Sequence, residues 1–401
     1  MAVDLPEGVS CMIYLDNAAT TSLHPNVLKA MMPYLTDSYA NPSSVYRPAQ
    51  KVRSAIDEAR SNIAKVLSAS PGEIYFTAGG TESDNWAIKG IIESLSKPKG
   101  HIITSSIEHH GIFHVCEYLK KQGHEITYLP VDSGGFVSPE SVAAAIRPDT
   151  ALVSIMLANN EVGTIQPIAE ISKITRKHSI PLHTDAVQAV GHIPVNVDEL
   201  DVDLLSLSAH KFHGPKGIGA LYIRKGTKIS PLFHGGAQER SRRAGTENVP
   251  GIIGMGAALM LVSEEMETEA VRLTALRDKL IDGILTKIPH TRLNGAMQNR
   301  LPGNANISFD FIEGESLLLH LDMHGCQAST GSACSAISLE PSHVLMAMGL
   351  SHEHTNGAVR FTLGRDNTDD DIVKVLEILR TSVEKIRAMS PLYDDFLKGQ
   401  K

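Results

Sequence analysis

"SLSAHKFHGPKGIGALYIR", residues 206–224, joins two apolar runs through a polar, glycine-rich turn. The first run, "DLLSLSA" (203–209), reads as a buried strand whose carboxyl end delivers His210 and Lys211 side by side. Upstream, "EIYFT" (73–77), "HIITSS" (101–106), "EITYLPV" (125–131), "ALVSIMLA" (151–158) and "IPLHTDA" (180–186) have the same strand-like character. Between them, "TESDNWAIKGIIESL" (81–95), "IFHVCEYLKKQG" (112–123) and "PIAEISKITRKH" (167–178) space their apolar residues as helices do. Strands alternating with helices of this length predict an α/β fold with a mostly parallel sheet covered on both faces. Ligands of such sheets bind beyond the carboxyl ends of the strands. Thr81, His109, Asn160, Asp185, His210 and Lys211 all fall at such ends, so five distant segments are expected to converge on one edge.

Downstream, "RAGTENVPGIIGMGAALML" (243–261) leads into a long amphipathic helix over about 256–287. A second, smaller α+β domain follows, with the strand-like "NANISFDF" (304–311) and "GAVRFTLG" (357–364), the helical "GESLLLHLDMHG" (314–325) and a C-terminal helix over 369–389. We divide the chain into a large domain, 16–258, and a small domain made of 1–15 and 259–401. The small domain includes "ASTGSACSAIS" (328–338), part of a loop over about 327–340 whose Gly, Ser and Ala residues offer few packing groups.

Composition narrows the class. The 401 residues are 42% hydrophobic and 20% charged, as in ordinary globular proteins. No uninterrupted apolar run approaches the ~20 residues of a membrane span, so no membrane partner is expected. The N-terminal residues carry no basic region ahead of an apolar stretch, and we read the protein as cytoplasmic. A net charge of −8 without a basic block argues against nucleic-acid binding. The four cysteines, Cys11, Cys116, Cys326 and Cys334, form neither a CxxC pair nor a regular framework, so any cysteine with a task acts alone. Cys11, Cys116 and Cys326 read as structural thiols. No metal is expected: His320 and His324 have a helical ligand spacing, but no glutamate motif joins them.

A lysine at a strand end serves as phosphate ligand, general base or Schiff-base former. "GPKG" lacks the spacing and the Ser/Thr of a phosphate-binding P-loop. Schiff-base chemistry with pyridoxal 5'-phosphate needs an acid facing the pyridine nitrogen, and Asp185 is the natural partner. "TAGGTES" (77–83) offers the phosphate a glycine turn and a helix N-terminus, with Gly80 and the Thr81 hydroxyl at hand. His109 is placed to stack on the ring, and Gln188 and Asn160 to reach the phenolic oxygen. "GIIGMG" (251–256) reads as close helix packing, His110 as turned away from the ring, and Arg365 equally well as a salt-bridge residue.

Here the chain resembles the cysteine desulfurases of nitrogenase and general iron–sulfur cluster assembly. These are class V aminotransferase-like enzymes of the aspartate-aminotransferase-like fold (fold type I). The resemblance rests on "YLDNAATT" (14–21), "NPSS" (41–44), "HTDAVQ" (183–188), "SAHKFHGPKGIGALY" (208–222), "RAGTENVPGIIG" (243–254), "STGSAC" (329–334) and "VRFTLGR" (359–365), and covers nearly the whole chain. It implies that Lys211 carries the cofactor, Asp185 pairs with the pyridine nitrogen and Gln188 contacts the phenolic oxygen. Thr81, Ser208 and His210 would bind the phosphate, and Thr246 would reach that of the neighbouring subunit in a homodimer. Asn160 and Arg360 would hold the carboxylate of L-cysteine, and Cys334 would be the nucleophile. Alanine and a persulfide on Cys334 would result, the sulfur passing to an acceptor or iron–sulfur scaffold protein; "GSACSAISLEPSHVL" (331–345) resembles the long-loop class. Selenocysteine lyase and aminotransferase are the enzymatic alternatives, and a catalytically silent sulfur carrier the non-enzymatic one.

Overall fold

The computed structural model describes residues 12–95, 99–331 and 341–399. A short strand, β1 (Ile13–Tyr14), precedes the large sheet, which is built from β2 (Ile74–Thr77), β3 (His101–Ser105), β4 (Glu125–Leu129), β5 (Thr150–Ser154), β6 (Leu182–Asp185), β7 (Leu204–Ser208) and β8 (Gly219–Ile223). Their order is β2-β8-β7-β6-β5-β3-β4. Only β8 runs against the others, pairing antiparallel with β2 and β7. The remaining six carboxyl ends therefore share one edge, where the sequence places its polar residues.

Side chains alternate across the sheet, and both faces are apolar. Ile74, Phe76, Leu205 and Leu207 face one core, shared with the helices Arg47–Val66 and Ile168–Lys177. Tyr75, Leu204 and Leu221 face another, shared with Gly80–Glu93 and His110–Lys121. That explains why the strands read as continuous apolar runs: a parallel sheet is buried on both sides.

The long helix is Val249–Lys287, starting earlier than the expected 256. Pro250 does not delay it, because a first-turn proline lacks only an N–H that has no intrahelical partner anyway. Its first half packs Ile252, Met255, Ala258 and Leu259 into the large-sheet core; its second half packs Leu276, Leu280 and Ile284 into the second core. One stretch of this helix is long and apolar enough to cross a membrane, and half of that stretch is buried within the protein. Gly254 and Gly256 bear out the packing reading of "GIIGMG": an added Cβ would lie 2.7 Å from Met31 Sδ and 2.8 Å from Ala59 Cβ respectively.

The second core contains β9 (Thr291–Asn294), β10 (Asn304–Phe309) and β12 (Ala358–Thr362), an antiparallel sheet of order β12-β10-β9. The helices Gly314–Met323 and Asp369–Ala388 cover it. Beside it, β1 pairs in parallel with β11 (Cys326–Gln327). The helices Pro25–Thr36 and Arg47–Val66 were not among the expected elements. Met32, Leu35 and Tyr39 leave the first of them and its following turn partly exposed, which blurs any one-sided apolar stripe.

Candidate active site

A cavity opens at the shared strand edge. Gly80, Thr81, His109, Asn160, Asp185, Gln188, Ser208, His210, Lys211 and Arg360 all line it. Thr246 does not; it lies exposed in the segment before the long helix. Cys334 and Cys11 lie outside the described residues. Cys116 and Cys326 are buried, and burial pushes both thiols up to about 12, which leaves them inert near neutral pH.

Local structure explains each placement. Gly79, at φ 155° and ψ −177°, turns the chain from β2 into the helix Gly80–Glu93 through a conformation essentially reserved for glycine. At Gly80 a Cβ would lie 2.7 Å from Val187, so glycine alone lets the helix start approach the floor of the cavity. The first turn presents N–H groups with no intrahelical acceptor, a ready anion seat. Ser208, His210, Thr20 and Lys216 border the adjoining recess, and His210 Nδ1 is 3.2 Å from Thr20 Oγ1. Lys211 Nζ donates to the carbonyls of Ala18 and Ala19 at 2.5 and 2.8 Å, and Gln188 Nε2 donates to the same Ala18 carbonyl at 3.0 Å. The "LDNAATT" segment thus orients the lysine.

Charge in the cavity is set chiefly by burial. Asp185 accepts from Val187 N–H at 2.9 Å, yet desolvation raises its carboxyl to about 6 against the opposing pull of that bond and of Lys211. His109 caps the helix His110–Lys121, accepting from Gly111 N–H at 3.1 Å, and burial and Lys211 lower it to about 4. Burial and Lys211 likewise lower His210 to about 4. Both imidazoles are therefore neutral near pH 7.

Sequence reasoning missed several acids here. Asp84, 1% exposed, lines the cavity with Oδ1 lacking a hydrogen-bond partner, and burial beside Asp185 raises its carboxyl well above the usual range. Glu108 is buried and pushed up to about 8; it accepts from Ser105 Oγ–H and Met156 N–H. Glu161 lines the cavity next to Asn160. Asp84 stands one helical turn beyond Gly80, which places it on the same side of the helix and was the available signal. His110 corrects the expectation: it lines the cavity, stacked on His114 at 5.2 Å and close to His343 at 4.9 Å between ring centres.

Arg360 reaches the cavity from β12. Its Nη1 donates to Asn160 O at 3.0 Å and Gly331 O at 2.9 Å, and its Nη2 pairs with Asp16 at 2.8 Å. Its Nε is buried without a partner. A guanidinium aimed into a cavity is suited to a carboxylate ligand.

The residues fit pyridoxal phosphate. Glycine keeps open a cradle that a Cβ would fill, a helix N-terminus faces the phosphate recess, Asp185 stands ready for a pyridinium, and Lys211 is held within the cavity. When bound, the cofactor supplies an electron sink for carbanion chemistry.

Known proteins agree with this reading. The aminotransferase class-V profile matches residues 13–375. The cysteine desulfurase IscS of Methanosarcina thermophila is 57% identical over 380 residues, covering 95% of this chain and 94% of its own. That of Dictyoglomus turgidum is 56% identical, covering 97% and 99%. Among solved structures, a NifS-like protein superposes with a TM-score of 0.88 at 39% identity, over 93% of this chain and all of its own. A structure of SspA in complex with cysteine gives 0.79 at 40% identity, over 88% and 98%. Fold and site define a pyridoxal-phosphate-dependent enzyme of the aspartate-aminotransferase-like fold. More closely, the chain belongs to the aminotransferase class-V family, and within it to the cysteine desulfurases.

Asp185 sets a pH dependence. In the cofactor-free protein, acid below about pH 6 neutralises it and removes the charge that would face a pyridinium. Cofactor affinity is expected to fall by up to about tenfold per unit as pH drops from 6 to 5, and to change little above 7. Asp185→Asn should bind more weakly at neutral pH, flatten this dependence and lose at least about a hundredfold in turnover. Equilibrium dialysis of both proteins across pH 5–8 checks it; identical profiles would point to another acid.

Proposed function

We propose that this protein is a cysteine desulfurase that converts L-cysteine to L-alanine and takes the sulfur as a persulfide on Cys334. The observation that carries the reading is the convergence of Lys211, Asp185, His109 and Gln188 around one cavity that Arg360 enters from the other sheet. Arg360 and Asn160 hold the substrate carboxylate. Lys211 Nζ would hold the cofactor and moves the proton from the substrate Cα. His109, neutral at working pH, would pack on the cofactor ring and exchange protons with the bound amino acid. Asp185 keeps its charge on the pyridine side.

Cys334 Sγ then takes the substrate sulfur. The Cβ–S bond breaks, an S–S bond forms, and the carbon is reduced as the two sulfurs are oxidised. Cysteine and one thiol become alanine and one persulfide, with no external oxidant. The persulfide passes to an acceptor, which we take to be an iron–sulfur scaffold protein. We assign the enzyme to the cytoplasm and to a homodimer, in which exposed Thr246 serves the neighbouring subunit's phosphate.

Purified, cofactor-loaded protein given L-cysteine and a reductant should release alanine and sulfide in equal amounts. A keto acid in place of alanine would establish the aminotransferase alternative instead. Sulfide without alanine would remove the desulfurase reading.

A further inference from the structure

Two carboxyl groups, Asp84 and Asp185, line the cavity together while only 1% and 5% exposed. An oxygen of each and a ring nitrogen of His109 all lie within 4.8 Å of one another. Like charges this close in a buried site do not both form, so one of the two acids keeps a proton. Their surroundings decide which. Asp185 accepts from Val187 N–H at 2.9 Å and feels Lys211, and both favour its charged form. Asp84 Oδ1 is buried without a hydrogen-bond partner, and Asp185 and Glu108 push its carboxyl towards the neutral form against the pull of the Ser206 hydroxyl. His183 Nε2 stands 3.8 Å from Oδ1, but burial lowers that imidazole to about 3, so it brings no positive charge. Its nitrogens meet neutral hydroxyls instead, Ser154 Oγ at 2.8 Å and Ser206 Oγ at 3.0 Å, in a row across β5, β6 and β7. His109 is neutral as well.

We propose that Asp84 is a positioning residue that acts through Asp185: it is kept as a neutral carboxylic acid, so that the pair carries one negative charge and that charge lies on Asp185. This rests on Asp185 being the acid that faces the pyridine nitrogen. An ionised Asp84 would make Asp185 hold its proton nearer to neutral pH, because a neighbouring anion disfavours a second one. An apolar side chain in its place would desolvate Asp185 further and act in the same direction. A neutral polar group avoids both.

The test uses Asp84→Asn and Asp84→Leu in the full chain. Infrared difference spectra of the cofactor-free proteins at pH 7, native against Asn, should show the loss of a protonated-carboxyl carbonyl band. Loss of a carboxylate band instead would overturn the proposal. Equilibrium dialysis with pyridoxal phosphate across pH 5–8 gives the second readout, the acid-side decline in affinity that Asp185 sets near pH 6. Asn, neutral and polar like the protonated acid, should keep the midpoint of that decline within about 0.3 unit and bind within about threefold of native at pH 7. Leu should move the midpoint up by about one unit and weaken binding at pH 6 by about fivefold. A midpoint that falls by about a unit in Asn would mean that Asp84 is an anion, and a Leu profile identical to native would mean that its carboxyl does nothing for Asp185. Either result overturns the proposal. Asn is nearly isosteric with Asp, so the infrared and Asn arms stand even where Leu fails to fold. The infrared arm contains no cofactor: a misassigned pyridine acid removes the acid-side decline from the native protein and leaves the band loss in place, which separates the two failures.

Discussion

Lys211→Ala is expected to release no alanine above background, a loss of at least about a thousandfold, because it removes two functions at once. In the proposed mechanism the amine at Nζ would be both the covalent anchor of the cofactor and the base for the Cα proton. Its environment supports both: the Ala18 and Ala19 carbonyls hold Nζ within the cavity, and Asp185 lies across it. The phosphate recess, made by the helix start at Gly80 with Ser208 and His210, is untouched by the substitution. The variant should therefore still take up cofactor yet lack the visible absorption band of the lysine-bound form. Absorption spectra and alanine assays of both proteins check it. Normal alanine output from Lys211→Ala would mean that the lysine is only a phosphate ligand.

Cys334→Ala separates binding from sulfur transfer. It should load cofactor and change its spectrum on adding cysteine as the native protein does, because Arg360, Asn160 and Lys211 are intact. Alanine release and protein-bound sulfur should both fall to background. The described cysteines do not replace it: Cys116 and Cys326 are buried with thiols pushed up to about 12, far from the thiolate a nucleophile needs. Selenocysteine should lose less, since selenium departs more readily without an attacking thiolate. Equal loss with both substrates makes the thiol obligatory, whereas retained selenocysteine turnover shows that the pocket also works as a lyase.

Much of this site is readable in the chain because parallel strands carry their functional residues at carboxyl ends, where each apolar run stops. Asp185 ends such a run, Thr81, His109, Asn160, His210 and Lys211 follow one, and the sheet brings them to one cavity. Contacts made across the fold leave no local trace. Asp16 and Arg360 pair from 344 residues apart, and Glu161 meets Ser342 from 181. Glu108 is raised by burial without lining the cavity, and that burial comes from the fold and not from its place in the chain. The reversed strand β8 likewise had no signal beyond its apolar run, since a strand's direction depends on its partners.

The most direct test of the central claim, that Lys211 chemistry and Cys334 act in sequence on one cysteine, is a single turnover without reductant. Cofactor-loaded protein is mixed with substoichiometric L-cysteine, and alanine and sulfur-bearing peptides are quantified by mass spectrometry. The account predicts one alanine per cysteine consumed and one additional sulfur atom on the peptide containing Cys334. Alanine formed with no added sulfur on Cys334, or with the sulfur on Cys11, Cys116 or Cys326, would contradict it.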